Sequence, residues 1–431
     1  MREIRSVPTA DSSVYQERNL QMKARIERIQ ADLEETAKYT EGKGPGITRL
    51  TYSPAEMKAR RYLSHQMELA GLAVRQDAAG NVIGRLEGSD PDLPLVMIGS
   101  HMDSIRCGGN FDGMTGIVAG IEVARILRDE GIRPARTLEI VGITGEENSR
   151  FFPGVIGSRA MNGDLTKEEL YSTKGSDGVL LADAMRSCGL DPDRVGEAVR
   201  PRGSIYQYFE LHIEQCKVLE ETQTPVGVVT CICGAAHQKL EICGKADHAG
   251  GTPMNMRSDA VMAAAEAALE AERLAIKAGH DTVATFGKLN VSPNTPNVIP
   301  ARVSIVADIR SSDISCNQAV MDGIERKLDE VCKRRGCTYT SEKILHDPPT
   351  IVPDQMIRLL KEKADELGIK NRLIYSGAGH DAVLMNKICP VAMLFVPSRG
   401  GRSHCPEEWT DYEDIQKGTE VLYSAVLELI K

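Results

Sequence analysis

No apolar run in the 431-residue chain approaches the roughly 18–20 residues of a membrane-spanning helix. Basic excess is missing too: the net charge is −9, and no basic stripe interrupts it, which argues against a nucleic-acid partner. The opening Met-Arg-Glu-Ile-Arg-Ser-Val-Pro-Thr-Ala lacks the apolar centre of a signal peptide, so the expected location is cytoplasmic. Eleven cysteines are present but none forms Cys-x-x-Cys. The nearest pair, Cys231-Ile-Cys233, suits alternation on a strand better than a zinc knuckle, and reduced, mostly buried thiols are expected. There is no internal repeat and no low-complexity segment.

What remains is an ordinary soluble composition, 42% hydrophobic with mixed charge, in a chain too long for one core. Its centre of interest is Leu95-Val-Met-Ile-Gly-Ser-His101-Met-Asp103, continued by Ser-Ile-Arg-Cys-Gly-Gly-Asn-Phe-Asp112-Gly113. Four apolar residues predict a buried strand, and the polar loop after it is where open α/β sheets keep their chemistry. In His-x-Asp, Asp103 can orient the His101 imidazole from behind. Gly108, Gly109 and Gly113 allow the turns that would carry the Asp112 carboxylate back toward His101. A polar loop with an incidental histidine would read the same way in isolation.

Along the chain, apolar spacing predicts a helix over residues 19–38, on Leu20, Met22, Ile26, Ile29 and Leu33. Ser53-Pro54 opens another over 54–69. Strands follow near Val74 and over 82–86, then the central stretch, a helix over 116–130 and an apolar strand over 137–144 ending in Gly-Glu146-Glu147. Alternating strands and helices predict an α/β fold with a mainly parallel sheet. The texture changes after His212-Ile-Glu-Gln215. Strands over 226–233 and 238–243, a helix over 260–278, strands over 282–289 and 301–309, a helix over 317–335 and a strand over 338–343 predict an inserted α+β, ferredoxin-like layer. The domain expectation is therefore 1–216 and 339–431 for one domain, with 217–338 inserted into it.

Four strand ends carry candidate ligands: His101 with Asp112, Glu146 with Glu147, His212, and His404. Imidazoles with carboxylates form a zinc- or manganese-type donor set. Asp112 can bridge two ions, one also held by His101 and His212, the other by Glu147 and His404. Successive side chains cannot easily face one ion, so with Glu147 ligating, Glu146 is free to act as general base and then acid on a water activated there. Each element alone has a plainer explanation, such as a solvated acidic turn or a core histidine. Their recurrence at successive strand ends favours a site.

Together Gly-Ser-His101-Met-Asp103, Gly-Gly-Asn-Phe-Asp112-Gly, Gly-Glu146-Glu147, His212-Ile-Glu-Gln, Asp247-His248-Ala-Gly and Ser-His404-x-Pro-Glu-Glu resemble the dinuclear-metal aminoacylase/carboxypeptidase-like amidohydrolases. The chain looks most like the hydantoinase/carbamoylase branch, which holds N-carbamoyl-L-amino-acid hydrolases, allantoate amidohydrolases and β-ureidopropionases. The branch rests on His212, where peptidases of the wider family usually present a carboxylate. The resemblance implies a zinc-peptidase-like, metal-binding catalytic domain in 1–216 and 339–431, a lid and dimerisation domain in 217–338, a homodimer, two divalent ions per subunit (zinc, manganese, cobalt or nickel) and hydrolysis of the ureido C–N bond of a small ureido or amide acid. By position it implies His101, Asp112, Glu147, His212 and His404 as ligands, Glu146 as base and Asp103 behind His101. It further implies substrate contacts from Gln215, Asn297, Arg310, Gly379 and His380, with His248 stabilising an oxyanion. One departure concerns His237: Gly-Ala-Ala-His237-Gln stands where relatives acting on allantoate carry Gln-Arg-Arg-Tyr-like residues, so His237 lines the pocket or simply lies on its strand. Allantoate, or an ordinary amide cleaved by an aminoacylase or peptidase, is the alternative substrate. An intact Glu146 disfavours a binding protein that has lost catalysis.

Overall fold

The computed structural model describes residues 24–42, 44–279 and 281–431. The expected helix over 19–38 is present as Ile26–Thr36; Leu20 and Met22 lie outside the described residues. Helix Pro54–Leu69 begins where Ser53 accepts the Glu56 backbone N–H, the N-cap arrangement that Ser-Pro favours. Strands β1 (Ala73–Gln76) and β2 (Val82–Leu86) pair antiparallel. They lead into β3 (Leu95–His101) and β4 (Leu138–Ile143), in which every residue is buried. Apolar runs this short, hidden on both faces, are what parallel strands covered by helices require. The crossover between them, helix Met114–Asp129, is itself buried from Met114 to Leu127.

With β5 (Ile205–Ile213), β6 (Val226–Ile232), β7 (Gly234–Cys243), β8 (Val283–Ser292), β9 (Arg302–Ser311), β10 (Thr338–His346), β11 (Thr350–Ile351), β12 (Asn371–Ser376) and β13 (Val391–Val396), two sheets form. The larger has nine strands in the order β1-β2-β4-β3-β5-β13-β6-β11, with β12 also on β6. Its centre, β4-β3-β5-β13, is parallel throughout, and antiparallel pairs flank it. The smaller is antiparallel in the order β10-β7-β9-β8. With helices Ala260–Ala278 and Ile314–Arg335 in a common core, it makes a βαββαβ layer of ferredoxin-like order.

Two compact units result. One holds the described residues up to Val229 with Val352–Ile374 and His380–Lys431; the other holds Thr230–Ile351 with Tyr375–Gly379. The inserted segment thus lies about a dozen residues later at each end than the expected 217–338. The stretch 226–233 is not the first strand of the small layer. As β6 it pairs with β13 and β11, and it buries all but one residue, whereas β7 alternates and offers one face to its helices. Continuous burial against alternation separates the two strands physically. Among the described residues no helix is long and apolar enough to cross a membrane.

Candidate active site

Strands β4, β3, β5 and β13 are neighbours and parallel, so their carboxyl ends share one edge. His101 ends β3, His212 is the penultimate residue of β5, Glu146 and Glu147 follow β4, and His404 follows β13. Asp112 arrives on the loop before helix Met114–Asp129. Gly113, at φ 67°, makes that turn, and a Cβ there would lie 2.5 Å from the His101 ring.

Asp112 is the centre of the cluster. Its Oδ1 lies 3.2 Å from His101 Nε2 and 3.0 Å from His212 Nε2. Its Oδ2 lies 3.1 Å from His404 Nε2, and that nitrogen is 3.4 Å from Glu147 Oε1. Two donor groups result, His101–Asp112–His212 and Asp112–Glu147–His404, each with ligand atoms within 4.8 Å of one another. A third group, Glu210–His212–His380, shares His212.

The chemistry of this donor set fits cations. His101 Nδ1 faces the Asp103 carbonyl at 3.1 Å and His212 Nδ1 faces the Ile213 carbonyl at 2.9 Å. A nitrogen facing a carbonyl carries the proton, so in the neutral ring the Nε2 lone pair is turned toward Asp112. A lone pair aimed at a carboxylate oxygen calls for a proton or a metal ion between them. Without an ion the protonated state is favoured. Burial opposes charge on His101, but its hydrogen bond to Asp112 and the nearby carboxylates lift it well above the usual histidine value. His404, bonded to Asp112, is raised to about 9. Burial, then Asp112, pushes Glu147 to about 7. Burial also drives the half-buried Glu146 well above the carboxylate range, with Glu147 adding to the shift.

Residues 97–428 match Peptidase family M20/M25/M40. The chain belongs to that family. It is 40% identical over 400 residues to the N-carbamoyl-L-amino-acid amidohydrolase of Paenarthrobacter aurescens, covering 93% of this chain and 97% of that protein. It is 42% identical over 390 residues to the N-carbamoyl-L-amino acid amidohydrolase of Geobacillus stearothermophilus, covering 90% and 95%. The crystal structure of a hydantoinase/carbamoylase family amidase from Burkholderia multivorans superposes with a TM-score of 0.88 at 32% identity, covering 95% of this chain and 98% of that one.

Several residues support the cluster of this M20/M25/M40 member. Asp103 carboxylate oxygens accept the backbone N–H groups of Glu146 (3.0 Å) and Glu147 (3.1 Å) and the Thr51 hydroxyl (3.0 Å). Its carboxylate is 3.7 Å from His101 Nδ1, farther than its carbonyl, so Asp103 mainly fixes the acidic turn while its backbone orients His101. Ser403 and Glu408 were not anticipated as site residues. Ser403 Oγ is 3.1 Å from Asp112 Oδ2, and Glu408 accepts backbone N–H groups from both the Asp112 loop and the His404 loop. Their only signal was their place in Ser403-His404-Cys-Pro-Glu-Glu408.

Gln215 Nε2 donates to Asp112 Oδ2 at 2.9 Å, and its buried Oε1 lacks a partner among the described residues. Gln215 and His404 both hold left-handed backbone, at φ 58° and 56°, a strained geometry common at binding sites. His380 is buried against His212, ring centroids 4.6 Å apart; burial and His212 hold it well below the usual histidine value, hence neutral.

The remaining candidates belong to the other unit. His248 is exposed, and its Nδ1 accepts the N–H groups of Gly250 and Gly251 at 3.1 and 2.9 Å, which leaves Nε2 as the protonated nitrogen. Asn297 lies on the adjoining segment, its carbonyl accepting the Ala249 N–H at 3.0 Å. On β9, Arg310 pairs with Asp308, which His237 on β7 also approaches at 3.4 Å. Arg310 also bonds the Gly377 carbonyl, in the segment that includes Gly379.

Proposed function

We propose that this protein is a metal-dependent amidohydrolase that cleaves the ureido C–N bond of an N-carbamoyl-L-amino acid. The observation that carries the reading is the pair of donor groups sharing Asp112 at four adjacent parallel strand ends, with Glu146 next to Glu147 of the second group. The 40% identity to proteins named for this activity supports the substrate class. His101, His212 and Asp112 would hold one divalent ion, and Asp112, Glu147 and His404 the other; zinc, manganese, cobalt and nickel all suit these donors. Bound there, the ions supply Lewis acidity to the ureido carbonyl and acidify water.

The chain's own groups then do the proton work. Glu146, whose charge burial disfavours, takes the proton of the attacking water and returns it to the departing nitrogen as the C–N bond breaks. Gln215 Oε1, a buried acceptor without a partner among the described residues, suits a ureido N–H. His248, with Nε2 protonated, suits the oxyanion that forms on the carbonyl oxygen. Arg310 and Asn297 suit the substrate carboxylate, and His237, Gly379 and His380 complete the contacts of this reading.

The reading includes a cytoplasmic homodimer in which the inserted unit serves as lid and dimer contact. Eleven cysteines without a disulfide fit a reducing compartment. For the dimer, Met262, Leu269 and Ile276 recur every seven residues on helix Ala260–Ala278 and are 41%, 65% and 75% exposed. Beside them, β8 is an edge strand with Val283 and Leu289 exposed. A second copy adding its own β8 would pair that edge and cover the stripe.

Ammonia release from a panel of N-carbamoyl-L-amino acids, compared with cleavage of N-acyl amino acids and dipeptides by protein loaded with each metal, tests the function. Turnover confined to dipeptides or N-acyl substrates would remove the ureido assignment.

A further inference from the structure

Glu408 is 4% exposed and makes four hydrogen bonds through one carboxylate. Its Oε1 accepts the backbone N–H groups of Phe111 (2.9 Å) and Asp112 (3.0 Å). Its Oε2 accepts the Ser403 hydroxyl (2.9 Å) and the His404 backbone N–H (3.3 Å). The two loops so joined are almost 300 residues apart in sequence. One carries the carboxylate common to both donor groups, the other the histidine of the second group. The same Ser403 Oγ stands 3.1 Å from Asp112 Oδ2, between the two carboxylates. His404 needs such a hold more than the other ligands: its side chain is half exposed and its backbone is left-handed. The chain also makes room for the carboxylate, because a Cβ on Gly109 would lie 2.1 Å from Glu408 Oε1.

We propose that Glu408 is the positioning residue that sets Asp112 and His404 at their separation, so that the second ion is held through the geometry Glu408 imposes. The proposal rests on the metal-pair reading above, and it assigns Glu408 no contact with ion or substrate. A carboxylate is the right group for this task, since it accepts from four donors at once and has none of its own. An amide in its place turns one end into a donor facing N–H or O–H groups, which disrupts one loop or the other.

Zinc binding to the full chain, measured by competition with a chelator of known affinity, tests it. Wild type that takes up no zinc would defeat the metal reading itself, a separate result. Given two zinc ions on wild type, Glu408→Gln is expected to weaken zinc by about 10- to 100-fold, with the weaker site most affected, as supporting groups behind metal ligands do. Cobalt in place of zinc should show an altered visible absorption spectrum in the same variant. Leu328→Ala, a cavity in the other unit's core, controls for a merely structural effect: it should lower thermal stability and leave zinc affinity unchanged. If Glu408→Gln does not fold, Gly109→Ala displaces the same carboxylate and should give the same loss. Wild-type affinity in either folded variant, a loss matched by Leu328→Ala, or failure of both site variants to fold would each overturn the proposal.

Discussion

Arg310 closes one edge of its guanidinium on Asp308, two residues earlier on β9, with Nε–Oδ1 and Nη2–Oδ2 both at 3.0 Å. Its Nη1 donates to the Gly377 carbonyl at 2.8 Å. A guanidinium has five N–H groups, so this pairing uses the Nε side and leaves further N–H groups on both terminal nitrogens. Asp308 therefore orients Arg310 without exhausting it.

Arg310→Ala should accordingly raise KM for carboxylate-bearing substrates by about 10- to 100-fold, the worth of a charge-assisted hydrogen bond, with kcat little changed. A neutral ureido analogue should be nearly indifferent. Asp308→Asn should move KM in the same direction by less. Steady-state kinetics on both substrates checks this, and equal losses on both would detach Arg310 from the carboxylate.

Glu146→Gln keeps the side chain's shape and removes its base. Turnover should fall by at least about 10²- to 10⁴-fold while metal content, read by elemental analysis, stays that of wild type. Near-normal turnover would end the proposed role.

Asp112 touches three imidazoles, so its loss should be felt in both donor groups. Asp112→Ala should bind neither ion tightly, whereas wild type loaded carefully should hold two. Chelation of wild type should abolish activity and lower the thermal midpoint, since an ion at 100 times its Kd contributes about 2.7 kcal/mol. One tightly held ion in Asp112→Ala would contradict a shared carboxylate.

Metal uptake should be linked to pH. In the metal-free protein His404 titrates at about 9, raised by Asp112, and an imidazole must lose that proton to bind a metal. At pH 7 that imidazole holds a proton which the metal must displace, so binding should release protons and affinity should rise with pH, levelling off above about 9. Metal titration in weak buffer with an indicator dye measures the release; none at pH 7 would rule the linkage out.

The exposed stripe on helix Ala260–Ala278 gives a test of assembly. Sedimentation equilibrium should find a dimer for wild type, and Leu269→Glu with Ile276→Glu should yield a folded monomer. A wild-type monomer at micromolar concentration would remove the dimer.

Much of this architecture was legible in the residues. Periodicity located helices Pro54–Leu69 and Ala260–Ala278 and strands β3 and β4, because apolar spacing and capping are local. His101, Asp112, Glu146, Glu147, His212 and His404 stood out by sequence because each stands at or beyond the end of a strand. Local signals failed where burial depends on distant partners. β6 was assigned to the wrong layer, since its neighbours β13 and β11 lie far along the chain.

By itself, then, the sequence determined which residues could serve as ligands and on which strand ends they stand, because side-chain type and apolar runs are written locally. Tertiary structure decided that chain order β3, β4, β5, β13 becomes spatial order β4-β3-β5-β13. It thereby decided that Asp112 faces three imidazoles, that the Asp103 carboxylate serves the Glu146–Glu147 turn more than His101, and that Glu408 joins loops nearly 300 residues apart. These are distances between backbones brought together by sheet pairing and helix packing, and no window of sequence contains them.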